Sequence, residues 1–331
     1  MKVAVYDTHR FDREALEFAN NGKHELHFLE LRLTESTAFL AQGCDAVCLF
    51  VNDRADAAAL KILKDIKVKL ISMRSSGYNH VDIKSALQLQ LSVVSVPSYS
   101  PHAVAEFAVG MLLSLNRKIH KAHSRVHDMN FSLEGLVGFD LFGKTVGVIG
   151  TGRIGKLFCQ IMRGFGCRVL ASDTEPDHQW ANQNQISYVD RNVLFIESDI
   201  ISLHTPLTKE SRHLINSSAI ALMKKNIILI NTGRGALIDT QALLKSLKDH
   251  FIGGACLDVY EEEAGIFFND LSESGIADDD LARLLTFPNV LMTSHQGFLT
   301  HEALQDIART TIESLTLFET GGDLTKVLIT N

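Results

Sequence analysis

A chain of 331 residues that is 46% apolar and 21% charged is long enough for two buried cores, and this composition excludes a disordered or fibrous protein. With 32 basic against 39 acidic residues the formal charge is −7, so there is no broad basic field for a nucleic-acid backbone or an anionic membrane surface. No apolar run reaches the roughly 20 residues of a membrane span, and five scattered cysteines, an odd number, make no disulfide framework.

The first residues, Met1-Lys2-Val3-Ala4-Val5-Tyr6, read as a strand rather than a secretory or transit leader, and with reduced thiols this points to the cytoplasm. Short β-branched runs then alternate with helical periodicity, the rhythm of doubly wound parallel sheets in an α/β fold. A first series of strands is expected at 2–6, 25–28, 46–50, 69–73 and 92–96. Ser100-Pro101 opens a helix with a hydroxyl cap and proline at its first position, and Val104, Phe107, Ala108, Met111, Leu112, Leu115 and Ile119 gather on one apolar stripe. A polar stretch and a glycine-containing segment at 128–143 lead to a second series at 145–149, 168–172, 186–189, 200–204, 227–231, 254–257 and 290–293. The final amphipathic segment, 302–318, is too short to be a domain and is expected to return to the first one.

Several strand ends carry chemistry. Gly150-Thr151-Gly152-Arg153-Ile154-Gly155 follows one strand and opens a helix, and Asp173 ends the next strand 18 residues after Gly155. In that context the glycines admit a pyrophosphate to a helix N-terminus, while the carboxylate accepts from ribose hydroxyls and repels a 2′-phosphate. The pattern therefore calls for NAD over NADP; the plain alternative is a glycine-rich turn that binds nothing. His204-Thr205-Pro206 and Asn231-Thr232-Gly233-Arg234-Gly235 end two further strands, where ligands of open parallel sheets sit. Arg234 is a two-point donor suited to a carboxylate. His295 ends the last strand, and the run Glu261-Glu262-Glu263 follows the strand ending at Asp258; a carboxylate beside an imidazole favours its protonated form. Taken singly, Arg234 could be a surface arginine, His295 a satisfied core group and the glutamates a solvated loop.

Together these segments resemble the NAD-dependent D-2-hydroxyacid dehydrogenases, the fermentative D-lactate branch most closely, over essentially the whole chain. The resemblance is carried by Arg74-Ser75-Ser76-Gly77-Tyr78-Asn79-His80, Pro97-Ser98-Tyr99-Ser100-Pro101-His102, the Gly150 fingerprint, Asn231-Thr232-Gly233-Arg234-Gly235, Leu257-Asp258-Val259-Tyr260-Glu261 and His295-Gln296-Gly297-Phe298. It implies a flavodoxin-like substrate domain from 1–100 plus 299–331 and a Rossmann-type NAD domain at 101–298. It makes Arg234 the ligand of the substrate carboxylate and His295 the general acid/base. Of the three glutamates it selects Glu263 as the one that raises the pKa of His295. Asp258, Thr232 and Gly233 would line the nicotinamide side, the Ser76 and Gly77 amides would help hold the carboxylate, and Tyr99 and Phe298 would be pocket walls.

The reaction implied is reversible reduction of pyruvate to D-lactate, with no metal, by a homodimer or homotetramer joined through the Rossmann domain. Alternatives are a larger 2-oxo acid and an NAD-sensing corepressor-type protein. Phe107 stands where many relatives carry histidine and Gly297 where alanine is usual, departures expected to affect packing only. The segment 261–285, with Phe267-Phe268 and Asp278-Asp279-Asp280, resembles the long loop of the lactate branch.

Overall fold

The computed structural model describes residues 1–329. Its first part alternates β1 (Lys2–Val5), α1 (Arg10–Asn20), β2 (Glu25–Phe28), β3 (Ala46–Leu49), α2 (Ala57–Asp65), β4 (Leu70–Met73), α3 (Ile83–Gln88) and β5 (Ser92–Val94). The five strands form one parallel sheet in the order β2-β1-β3-β4-β5, the flavodoxin-like order. Helices cover both faces, which is why β3 and β4 are buried at every position and read as unbroken apolar runs.

The strand ends of this unit are tied by a buried cation. Arg74, 1% exposed, donates to the carbonyls of Tyr6 (3.0 Å), Asp7 (3.1 Å) and Cys48 (3.2 Å), and Asp12 lies 3.5 Å away. Burial alone would lower the pKa of Arg74, but the neighbouring Asp12, Cys48 and Asp53 raise it, so the guanidinium keeps its charge. One side chain thus joins the ends of β1, β3 and β4, and it directly precedes the Ser75-Ser76-Gly77 turn.

The chain continues through α4 (Pro101–Arg117), α5 (Ile119–His127), β6 (Thr145–Ile149), α6 (Arg153–Gly164), β7 (Arg168–Ser172), α7 (His178–Gln183), β8 (Ser187–Tyr188) and α8 (Arg191–Glu197). Then come β9 (Ile200–Leu203), α9 (Ser217–Leu222), β10 (Ile227–Asn231), α10 (Thr240–Lys248), β11 (Ile252–Leu257), α11 (Asp279–Thr286), β12 (Val290–Met292) and α12 (His301–Thr320). The second sheet is also wholly parallel, in the order β12-β11-β10-β9-β6-β7-β8, so chain direction across the sheet reverses between β6 and β9. That reversal opens a crevice at the carboxyl ends of the strands.

Residues 1–100 with 299 onward form one compact unit and Pro101–Phe298 the other. The return of the chain is made by α12, which starts at Thr300, whose hydroxyl accepts from the Ala303 amide, and ends at Gly321 in left-handed conformation. Its Ala308, Ile312 and Leu315 share a core with Val3, Val5 and Leu16.

Several strands are one or two residues shorter than expected, and two elements differ more. The polar stretch after α4 is itself helical: Lys118 turns left-handed (φ 56°) and α5 starts afresh, so one apolar stripe becomes two helices. β11 begins at Ile252, not 254, and takes in Gly253, where there is no room for a side chain because a Cβ would stand 2.4 Å from the Asn226 carbonyl oxygen. Among the described residues no helix is long and apolar enough to cross a membrane.

Candidate active site

The turn between β6 and α6 is shaped by its glycines. Gly150 has φ +92°, and a Cβ there would meet the His204 carbonyl at 2.5 Å; a Cβ on Gly155 would meet the Gly150 carbonyl at 2.0 Å. At Gly152 the space is open, with no atom within 4 Å of a Cβ, so the backbone is bare toward a cavity of about 370 Å³. Gly152, Asp173, Thr205 and Pro206 are among its walls. Arg153 starts α6 exposed to solvent, and Ile154 packs against the apolar core.

Asp173, at the end of β7, accepts from the Thr151 amide and hydroxyl (2.9 Å for the latter) and from the Glu175 amide (3.0 Å). Burial works against its charged form, but these donors outweigh it and hold the carboxyl below the usual range. A negative carboxylate therefore sits beside the glycine turn. The residues present fit a dinucleotide: a helix N-terminus with an uncovered glycine for phosphate, an acid for ribose, and a buried Thr232 hydroxyl that has no hydrogen-bond partner.

His204 plays a different part from the one its motif suggests. Its imidazole turns inward, with Nε2 2.8 Å from the Ser202 hydroxyl and its ring 5.0 Å from that of Phe158, so what it presents at the turn is backbone.

The other cluster is assembled by three consecutive strand ends, β10, β11 and β12. Asn231 closes the β10 loop on itself: its side chain accepts from the Gly233 amide (3.1 Å) and donates to the Arg234 carbonyl (2.8 Å). Arg234 donates from Nη1 to the Gly233 carbonyl at 2.7 Å. Gly235 permits this loop to press on the β11 loop, since a Cβ would overlap the Tyr260 carbonyl carbon at 2.0 Å.

Within the β11 loop the three glutamates separate. Glu263 places Oε1 2.9 Å from His295 Nδ1 and accepts the Tyr260 amide on Oε2 at 3.0 Å. Glu261 instead pairs with Arg212 (2.8 Å) and His213 (2.6 Å), and Glu262 is exposed. With Nδ1 of His295 facing Glu263, Nε2 lies on the opposite side of the ring.

Asp258 was expected to line the nicotinamide side, but its carboxylate is turned into the His295 segment. It is 1% exposed and accepts from the Thr293 hydroxyl (2.6 Å) and the Gln296 and Gly297 amides (2.9 and 2.8 Å), while its carbonyl takes the His295 amide at 2.6 Å. Burial lifts its pKa, against those donors. The departures at Phe107 and Gly297 also meet here: a Cβ on Gly297 would stand 3.0 Å from Asp258 Oδ2 and 3.3 Å from the Phe107 ring. Phe107 and the missing methyl are one packing solution, pressed against the Asp258 clamp. Phe298 is buried next in the chain.

Ser76, Gly77 and Tyr99 belong to the first unit. The Ser75 hydroxyl donates to the Gly77 carbonyl at 2.7 Å and braces that turn. Asn231 and Thr293 were not singled out as individual residues by sequence reasoning; the available signal was a polar residue closing an apolar strand.

His204 yields a test of this geometry. Burial lowers its pKa to about 4 from an ordinary 6.5, so folding favours the neutral ring. Stability on this account is whole above pH 6.5 and drains as pH falls toward 4, by up to about 3 kcal/mol. His204→Gln should flatten the fall of unfolding free energy across that window in urea titrations; a slope equal to the wild type's would contradict the buried neutral ring.

A family model described as "D-isomer specific 2-hydroxyacid dehydrogenase, NAD binding domain" matches residues 109–297. The chain is 50% identical over 322 residues to D-lactate dehydrogenase of Escherichia coli (strain K12), covering 97% of this chain and 98% of that one. It is similar to the apo-structure of D-lactate dehydrogenase from Escherichia coli with a TM-score of 0.91 at 47% identity, over 99% of this chain and 100% of the other. Against D-lactate dehydrogenase with NAD+ from Lactobacillus jensenii the TM-score is 0.82 at 31% identity, with 100% of both chains covered. The family model over 109–297 and the 50% identity across nearly the whole chain show that this chain belongs to the NAD-dependent D-2-hydroxyacid dehydrogenases.

Proposed function

We propose that the chain reduces pyruvate to D-lactate, reversibly, with His295 as general acid/base. The observation that carries this is the 2.9 Å contact between Glu263 and His295 Nδ1 in the same row of strand ends as Arg234. The whole-chain likeness to a D-lactate dehydrogenase supports pyruvate as the substrate.

In this reading Gly150, Gly152 and Gly155 face the pyrophosphate and Asp173 the ribose. The backbone at His204 with Thr205 and Pro206 lines the adenosine side, and Thr232 and Gly233 the nicotinamide side. Bound NADH supplies the hydride. Arg234 binds the 2-oxo acid by its carboxylate, a planar fork matched to two oxygens. His295 holds a proton at Nε2 and gives it to the carbonyl oxygen as negative charge develops there, which is general acid catalysis worth roughly 10²–10⁴-fold. Glu263 fixes the ring through Nδ1 and compensates the imidazolium charge. Asp258 serves this chemistry by holding the turn that carries His295. The contributions of Ser76, Gly77, Tyr99 and Phe298 to substrate binding rest on the resemblance alone.

NADH oxidation with a panel of 2-oxo acids, followed by chiral analysis, tests the assignment: pyruvate should give the highest kcat/KM and D-lactate as product. A better phenylpyruvate or branched-chain substrate would replace the lactate reading, and binding of NADH without turnover would replace the enzyme.

Matched pH profiles test the acid pair. Loss of the carboxylate charge disfavours the imidazolium, so Glu263→Gln should move the alkaline limb of pyruvate reduction to lower pH. Glu261→Gln and Glu262→Gln should leave it in place, because Glu261 is engaged with Arg212 and His213 and Glu262 is solvated. A limb that moves with Glu261 and not with Glu263 would reverse the assignment.

The protein is further proposed to self-associate, as a dimer or tetramer, through the NAD-binding unit. Met129, Phe131, Leu133, Val137 and Phe142 are all exposed along one short segment, more apolar surface than a lone subunit ordinarily leaves wet. The five buried free cysteines accord with a reducing, cytoplasmic setting. Sedimentation should show an oligomer that Leu133→Asp with Val137→Asp dissociates; a monomeric wild type would refute it.

A further inference from the structure

The loop after β11 contains a phenylalanine in a backbone position made for glycine. Residues Ala264 to Phe267 form a single helical turn in which the amides of Ile266 and Phe267 both donate to the Glu263 carbonyl at 3.0 Å. The next residue, Phe268, has φ +65°, the left-handed conformation that ends such turns and normally falls to glycine or asparagine. For a bulky side chain that conformation is strained. Phe267 is buried in the apolar core and anchors the turn, and Phe268 packs partly against the same core. The Phe268 ring comes to 6.1 Å from the His295 ring, centroid to centroid, tilted by 36°.

We propose that Phe268 is a positioning residue that fixes the plane of the His295 imidazole, an inference that rests on His295 being the acid. Glu263 restrains that ring at Nδ1, and one hydrogen bond tolerates a range of tilt about the Cβ–Cγ bond. An aromatic neighbour in contact range supplies the second constraint that points Nε2 in one direction. Both constraints issue from one piece of chain, because the turn that delivers Phe268 is hydrogen-bonded to the carbonyl of Glu263 itself. The backbone strain at Phe268 is then the cost of placing a ring where glycine would be more comfortable. Such strain at a functional site persists when the surrounding contacts over-determine it.

The test compares Phe268→Gly, Phe268→Leu and Phe268→Tyr in steady-state pyruvate reduction and thermal melting, with His295→Gln alongside. Phe268→Gly and Phe268→Leu should lower kcat by about ten- to a hundredfold, the scale set by misplacing a reacting group by about 1 Å. KM for pyruvate should stay within about twofold, since the carboxylate is bound elsewhere. Phe268→Tyr should restore kcat, and Phe268→Gly should melt no lower than Phe268→Leu because it relieves the left-handed strain. Should the glycine variant fail to fold, the leucine variant carries the comparison. A kcat within twofold of wild type in the folded variants, or a fall in kcat joined by a rise in KM and a lower melting temperature, would overturn the positioning role. Full activity in His295→Gln would instead overturn the acid assignment on which it rests.

Discussion

The segment that carries His295 hangs on the carboxylate of Asp258. It stands where β11 ends, is shut off from water, and gathers a hydroxyl and two amides from the segment that follows β12, while its own carbonyl takes the amide of His295. Burying a carboxylate is costly, as its raised pKa records, and three donors offset that cost. In return a stretch of chain that would otherwise be a mobile loop is fastened at four points. His295 is held at φ +56°, a conformation a free loop would seldom adopt.

Around that clamp the parallel sheet does the coarse positioning. Neighbouring strands lie about 4.8 Å apart, so residues just beyond β10, β11 and β12 fall in one short row without any special contact. The finer step is made by close backbone approaches and polar clips. Gly235 lets two loops touch, Asn231 ties the arginine loop to its own strand, and Tyr260 donates its hydroxyl to Asp278, which in turn caps α11. Each of these contacts fixes the loops from which Arg234 and Glu263 project.

This division explains what could be read before the structure was known. Strands buried on both faces announce themselves, and β6, β7 and β10 have the bounds that their apolar runs suggest. Alternation shows that the sheets are parallel with helices on both faces, but the order of strands within each sheet is seen only in the structure. The glycine turn and the carboxylate of Asp173 beside it are legible as a local arrangement, because a helix start and the next strand end meet through the Thr151 amide. Residue chemistry alone leaves Glu263 level with Glu261 and Glu262 in one loop, and only the family resemblance selects it; in space the three differ by partner, His295 for Glu263 and Arg212 with His213 for Glu261. The direction in which Asp258 points was equally hidden. A buried acid at a strand end looks the same in sequence whether it faces a ligand or a neighbouring loop.

Phe107 and Gly297 carry the same lesson into packing. Read separately they are two departures, one larger and one smaller than the usual residue. In space the missing methyl of Gly297 lies against the Phe107 ring and the Asp258 carboxylate, so the phenylalanine occupies room that a methyl would contest. A methyl at 297 would require the Phe107 ring or the Asp258 carboxylate to give by a few tenths of an ångström. The pair therefore has to be considered as a unit with the His295 turn, and a histidine at 107 would bring a polar edge toward the acid that holds that turn. Phe107 offers no polar group at that point, and the Asp258 carboxylate beside it keeps its three donors from the segment that carries His295.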